Sequence, residues 1–117
     1  MRFIATLVAT LLLAVTPSFA ADPSGRYNVE GTNPGNGSAY SGGVTVEKTG
    51  ETYRVVWVVG DTRYIGTGIG DQNFIAVSYR SGNSSGLALY RAEGGNWQGV
   101  WTYSGGKQIG TERWLRR

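Results

Sequence analysis

Few side chains in this chain of 117 residues have types suited to catalysis, and two absences narrow the field: it contains no histidine and no cysteine. That removes the usual general base, the thiolate nucleophile and the commonest zinc ligands. Gly82-Asn83-Ser84-Ser85-Gly86 carries the letters of a nucleophile elbow. The real motif joins a strand to a helix and needs a histidine base, whereas strand-like segments flank this one. Gly66-Thr67-Gly68-Ile69-Gly70-Asp71 has the glycine content of a phosphate loop. A phosphate loop is followed by a helix, and Gln72–Arg80 reads as another strand, so no nucleotide site is expected. The eight acidic residues are dispersed one at a time, which argues against a metal cluster. No catalytic residue, metal or cofactor is therefore assigned.

The acid with most to offer is Glu112. Strand parity turns it inward, opposite Gly99 and between Trp101 and Trp114, a carboxylate in an aromatic enclosure. Such a group could hold a cationic or hydroxyl-bearing ligand. Alternatively it is a structural acid bonded to tyrosine hydroxyls or to an arginine near a rim, since a buried charge needs partners. One inward acid is half of a carboxylate-pair mechanism, so binding is expected of it and catalysis is not. The second feature is Thr32–Ala39, TNPGNGSA, the longest stretch without a strand pattern. Its Asn-Pro and Asn-Gly pairs make it a turn-rich loop of the kind that borders a barrel mouth. Candidate ligand contacts are Asn33, Asn36, Ser38, Tyr40, Trp57, Trp101 and Glu112.

The strands that must position these residues are clearest in Glu51–Arg80. A turn at Gly60-Asp61 sets Val59 against Thr62, Trp57 against Tyr64, Val55 against Gly66 and Tyr53 against Gly68. A turn at Gly70-Asp71 would set Gly66 against Ile75 and Tyr64 against Val77. Before this stretch, Gly25–Gly31 and Tyr40–Lys48 read as strands. A turn at Thr49-Gly50 would pair Val46 with Tyr53, Val44 with Val55 and Gly42 with Trp57. After it, Ser81–Ser85 turns into a strand at Gly86–Glu93, Gly94-Gly95 pairs Ala92 with Trp97, and a reversal at Gly105-Gly106 pairs Trp101 with Gly110 and Trp97 with Trp114. Large rings face glycines throughout, as a narrow curved sheet requires.

Eight strands joined by short reversals predict an all-β, antiparallel up-and-down meander closed into a small barrel, with a two-sheet β-sandwich as the alternative. The expected interior is Tyr27, Val29, Val44, Val46, Tyr53, Val55, Trp57, Tyr64, Ile75, Val77, Tyr79, Tyr90, Trp97, Trp101, Tyr103 and Trp114. On the outside the same registers align Val56, Ile65, Ala76, Leu89 and Val100 in one apolar row, a candidate interface for a protein partner or a second copy.

Residues 1–20 read as a signal peptide: Arg2 is the positive start, Phe3–Val15 the apolar run, and Ser18-Phe19-Ala20 the cleavage pattern. The mature domain is 21–117, exported to the periplasm or secreted. The apolar run is short for a membrane span, which needs roughly 20 residues, so no transmembrane segment is expected after cleavage. An outer-membrane barrel fits poorly with short strands and an aromatic interior. With eleven basic residues, Arg2 among them, against eight acidic ones, the charge is too mild to point to nucleic acid.

The run GRYNVEGTNPGNGSAYSGGVTVEKTGETYRVVW, continued by GTGIGDQNFIAVSY and GVWTYSGGKQIGTE, resembles small exported proteobacterial proteins, some of them labelled fibronectin-binding. The architecture is also similar to the calycin barrels, avidins among them. Together these imply an exported, non-catalytic binding protein that takes a protein, of extracellular-matrix type in that family, or a small ligand through the barrel surface or mouth. A periplasmic inhibitor of a hydrolytic enzyme such as a lysozyme, presenting the Thr32–Ala39 loop, is the alternative.

Overall fold

The computed structural model describes residues 22–117, and the signal peptide expected over 1–20 lies outside them. Eight strands follow in chain order: β1 (Gly25–Thr32), β2 (Ala39–Thr49), β3 (Thr52–Val59), β4 (Thr62–Gly70), β5 (Phe74–Ser81), β6 (Ser84–Glu93), β7 (Asn96–Tyr103) and β8 (Gly110–Arg116). Each pairs antiparallel with the next, and β1 pairs with β8, so the meander closes into a barrel and not a sandwich. Closure leaves no unpaired edge. Among the described residues no helix is long and apolar enough to cross a membrane.

Glycine chemistry explains where most of the hairpins turn. Gly60 has φ of 59°, and among the described residues no non-glycine residue has positive φ. Gly60-Asp61 is therefore a glycine-first two-residue turn of the type whose twist suits a hairpin, and β3 pairs with β4 as expected, Val59 with Thr62 through Tyr53 with Gly68. The same rule corrects the β2–β3 turn. Gly50, φ 68°, takes the first central position, so the turn is Gly50-Glu51 and not Thr49-Gly50. Val46 faces Val55, and Val44 faces Trp57.

The β4–β5 connection departs further. Gly70 stays in the strand and the reversal is made by Asp71, whose carboxylate accepts from the backbone N–H of Asn73 (2.7 Å) and of Phe74 (3.3 Å). A Cβ on Gly70 would overlap the Phe74 carbonyl, so this glycine serves close strand approach. Gly66 consequently faces Tyr79, and Gly68 faces Val77. Both corrections move the register by an even number of residues, so every side chain keeps its face.

The interior is nearly the one expected. Tyr27, Val29, Val44, Val46, Tyr53, Val55, Trp57, Ile75, Val77, Tyr79, Tyr90, Trp97 and Trp114 are buried, joined by Ala88, while Tyr64 and Trp101 are half-buried against them. Tyr103 is the exception. It has inward parity, but it ends β7 at the rim and is 49% exposed.

One end of the barrel is closed by its own chain. The Tyr27 hydroxyl donates to the Pro23 carbonyl (2.7 Å). Arg116 lies over the Tyr27 ring, 4.7 Å from its centroid, and donates to the carbonyls of Ser24 (2.9 Å), Gly95 (3.0 Å) and Asp22 (3.3 Å). The guanidinium fork thus ties the segment before β1 to the β6–β7 turn and to β8.

Candidate functional site

The opposite end is open. It is rimmed by the β1–β2 loop, the β3–β4 and β5–β6 turns, and the β7–β8 loop. Between them lies a cavity of about 200 Å³ lined by Asn33, Tyr40, Trp57, Val59, Tyr64, Tyr79, Ala88, Tyr90, Trp101 and Glu112. Eight strands close around a lumen just wide enough for side chains or one small ligand. Here the rings fill the closed half and leave the open half hollow.

Glu112 organises the floor. It is buried, the only buried charged residue among those described. Its Oε1 accepts from the Tyr40 hydroxyl (2.7 Å). Its Oε2 accepts from the Tyr90 hydroxyl (2.5 Å), Trp114 Nε1 (2.8 Å) and Trp57 Nε1 (2.9 Å). Indole N–H groups only donate, which matches a carboxylate acting purely as acceptor. The partners are neutral; no arginine reaches it, since the ion pairs among the described residues are Arg91–Glu93 and Arg113–Glu30 on the outer face.

Two glycines make that convergence fit. Glu112 lies between Gly99 on β7 and Gly31 on β1. A Cβ on Gly31 would overlap the Tyr40 ring, and one on Gly99 would overlap the Tyr90 ring. Each bare position lets a tyrosine lie flat across the strand and bring its hydroxyl to the acid. Gly86 does the same for Tyr79, whose hydroxyl donates to the Thr102 carbonyl (3.0 Å).

Around the opening the rings lock edge to face. Trp57 and Tyr79 have centroids 5.7 Å apart, Tyr64 and Tyr79 6.0 Å, Tyr40 and Trp101 6.0 Å, and Tyr79 and Trp101 6.4 Å. Pairs of this geometry are favoured by the ring quadrupoles, so the wall is ordered before any ligand arrives.

The tyrosines that face Glu112 are held protonated. Burial, then the nearby Glu112 charge, raises the Tyr40 and Tyr90 hydroxyls well above their ordinary value. Burial, then Tyr64 and Glu112, pushes Tyr79 up to about 12. They remain donors across the physiological range.

Of the seven candidate ligand contacts, the fold brings five to the cavity: Asn33, Tyr40, Trp57, Trp101 and Glu112. Asn36 and Ser38 instead work inside the loop. Asn36 Oδ1 accepts from the Ser38 N–H (2.8 Å), and Asn33 Nδ2 donates to Ser38 Oγ (2.9 Å). Sequence reasoning did not single out Val59, Tyr64, Tyr79, Ala88 and Tyr90 as cavity residues. Inward parity combined with position near the same barrel end is the signal that would have found them.

The five outer residues do not form one row. Val56 pairs with Ile65, but Ile65 pairs with Arg80, because the β4–β5 register is longer than a two-residue turn allows. Ala76, Leu89 and Val100 do align, and Ile69 takes the place beside Ala76. Leu87 and Ile109 join them along a shallow apolar groove. No protein-family model and no curated protein matches the chain.

Proposed function

We propose that this protein is an exported, non-catalytic binding protein that takes a small ligand into the open end of its barrel. The observation that carries the reading is the cavity itself: a preformed hollow walled by aromatic rings, with one convergent polar cluster on its floor. Small-molecule sites have this composition, mostly apolar with a few placed polar groups. A cavity of about 200 Å³ suits a ligand somewhat larger than benzene, since an engineered cavity of roughly 150 Å³ takes benzene. Catalysis is disfavoured because Glu112 is the only acid in the described lining and four donors already engage it. Export rests on the Arg2–Ala20 pattern.

A protein partner is the second reading. The apolar groove of Ile69, Ala76, Leu87, Leu89, Val100 and Ile109 favours it, in keeping with the sequence resemblance to small exported proteins of which some are labelled fibronectin-binding.

The test compares melting temperatures of the wild type and Ala88→Leu with a panel of small amines, alcohols, sugars and aromatics. Ala88 lines the cavity, so a leucine there occupies ligand space. Ligands should raise the wild-type melting temperature by mass action and leave the variant unmoved. Equal stabilisation of both proteins, or no stabilisation by any member, would overturn the reading.

A further inference from the structure

The cavity carries an electrical asymmetry that its hydrogen bonds do not remove. Glu112 brings a carboxylate into it, and the described lining contains no lysine or arginine. Four neutral donors spread that charge but do not cancel it. In a site walled by rings, the charge is screened less than it would be in water. An anion is repelled there, and a neutral molecule gains at most a charge-assisted hydrogen bond, whereas a cation gains the attraction of the whole charge.

Most of the remaining features agree in sign, the exception being Trp101 Nε1, a buried donor of the lining without a partner, which suits an acceptor. Three donors converge on Oε2, whereas Oε1 carries the single bond from Tyr40. The unused acceptor capacity of the carboxylate therefore lies on the oxygen shared with Tyr40, a half-buried residue of the lining. Trp57, Tyr64, Tyr79 and Trp101 line the same hollow, and aromatic π-systems attract cations, tryptophan most strongly. Aromatic cages recognise quaternary ammonium groups, and a carboxylate among the rings adds a charge of the opposite sign.

We propose that the ligand is a small organic cation of the alkylammonium class, its charge held by Glu112 and the surrounding rings. This rests on the small-ligand reading above and specifies the chemistry of the same site.

The decisive comparison needs no variant. Choline and tetramethylammonium are titrated against the full-length mature protein, followed by intrinsic tryptophan fluorescence, to which Trp57 and Trp101 of the lining contribute. The control is 3,3-dimethylbutan-1-ol, which has the shape of choline with carbon in place of the charged nitrogen. The cations should bind at least about tenfold more tightly than the alcohol, the scale of a desolvated cation–π contact. Glu112→Gln, checked for folding by near-ultraviolet circular dichroism, should remove most of that preference. Tyr64→Leu should weaken the cations more than the alcohol. Equal binding of choline and its neutral isostere would overturn the cation assignment while leaving the small-ligand reading in place. If no compound of either charge moves the fluorescence, and the wider panel fails as well, both fall together.

Discussion

Replacing Glu112 by alanine should remove a large share of the protein's stability, whereas glutamine should be tolerated. The carboxylate collects four donors, and three of them, from Trp57, Tyr90 and Trp114, are at most 5% exposed. Tyr40 stands at the mouth, where water can replace its partner. Each buried donor left without an acceptor costs roughly 1–3 kcal/mol. Three such losses are opposed by relief from burying one charge, itself several kcal/mol. The donors already solvate the carboxylate, so that relief is partial, and the balance falls in the lower half of the roughly 3–9 kcal/mol that three stranded donors cost, about 3–5 kcal/mol. Stability for domains of this kind is about 5–15 kcal/mol, so the loss is a large share of it. In a domain of this size that shift lowers the melting temperature by at least about 12 °C. Glutamine keeps the shape and one carbonyl for the three Oε2 donors. Its amide meets Tyr40, whose hydroxyl can turn to accept where an indole cannot. Charge assistance is lost on the four bonds, but the cost of burying a charge is lifted with it, which leaves a net loss of roughly 1 kcal/mol. Differential scanning calorimetry of the three proteins at pH 7 provides the assay. An alanine variant melting within about 4 °C of the wild type would show that the donors are not organised around this acid.

Three further outcomes follow from the packing and charge. Gly68→Val should destabilise by roughly 1–3 kcal/mol through overpacking, because a Cβ there would stand 3.0 Å from Ile75 Cδ1; an unchanged urea midpoint would contradict it. Arg116→Ala should free the segment before β1, seen as faster amide exchange at the Ser24–Tyr27 end without loss of the Glu112 cluster; uniform exchange across the barrel would refute that local role. Because Tyr79 titrates near 12 and Tyr40 and Tyr90 are also raised above the ordinary 10.0, their protonated forms favour the folded state. The contribution is complete below pH 10 and is lost as pH rises through the folded values, since the unfolded chain then binds fewer protons. Melting temperature should hold to about pH 9 and fall above about pH 10, with the tyrosinate absorbance of these buried tyrosines appearing together with unfolding; a flat profile to pH 12 would refute it.

Much of the fold could be read from strand parity alone. Gly60-Asp61, Gly94-Gly95 and the Gly105-Gly106 reversal gave correct pairings, and Glu112 was turned inward opposite Gly99. The errors were local and physical. At Thr49-Gly50 the turn type demands glycine first, which moves the turn by one residue and the pairing by two. At Gly70-Asp71 the glycine was needed within the strand, and the aspartate side chain built the loop instead. Since both shifts were even, the inside survived intact while the outer row, which depends on register and not only on parity, came apart at Ile65. Gly31 was missed because its neighbour across the closing seam, Glu112, is 81 residues distant in sequence. No turn links them. Tyr103 failed because parity gives direction and does not say where the barrel ends.

The four tryptophans offer a direct measurement of the central claim, that ligand enters the open end and reaches the Glu112 cluster. Trp57 and Trp101 line the cavity, whereas Trp97 does not, and Trp114 meets the same carboxylate oxygen as Trp57. Indole N–H signals in a nitrogen-15 correlation spectrum report each separately. Titration with a binder from the small-molecule panel should shift Trp57 and Trp101 most, Trp114 less, and leave Trp97 in place. Shifts confined to backbone amides of the outer groove, around Leu87 and Val100, with all four indoles unmoved, would contradict it.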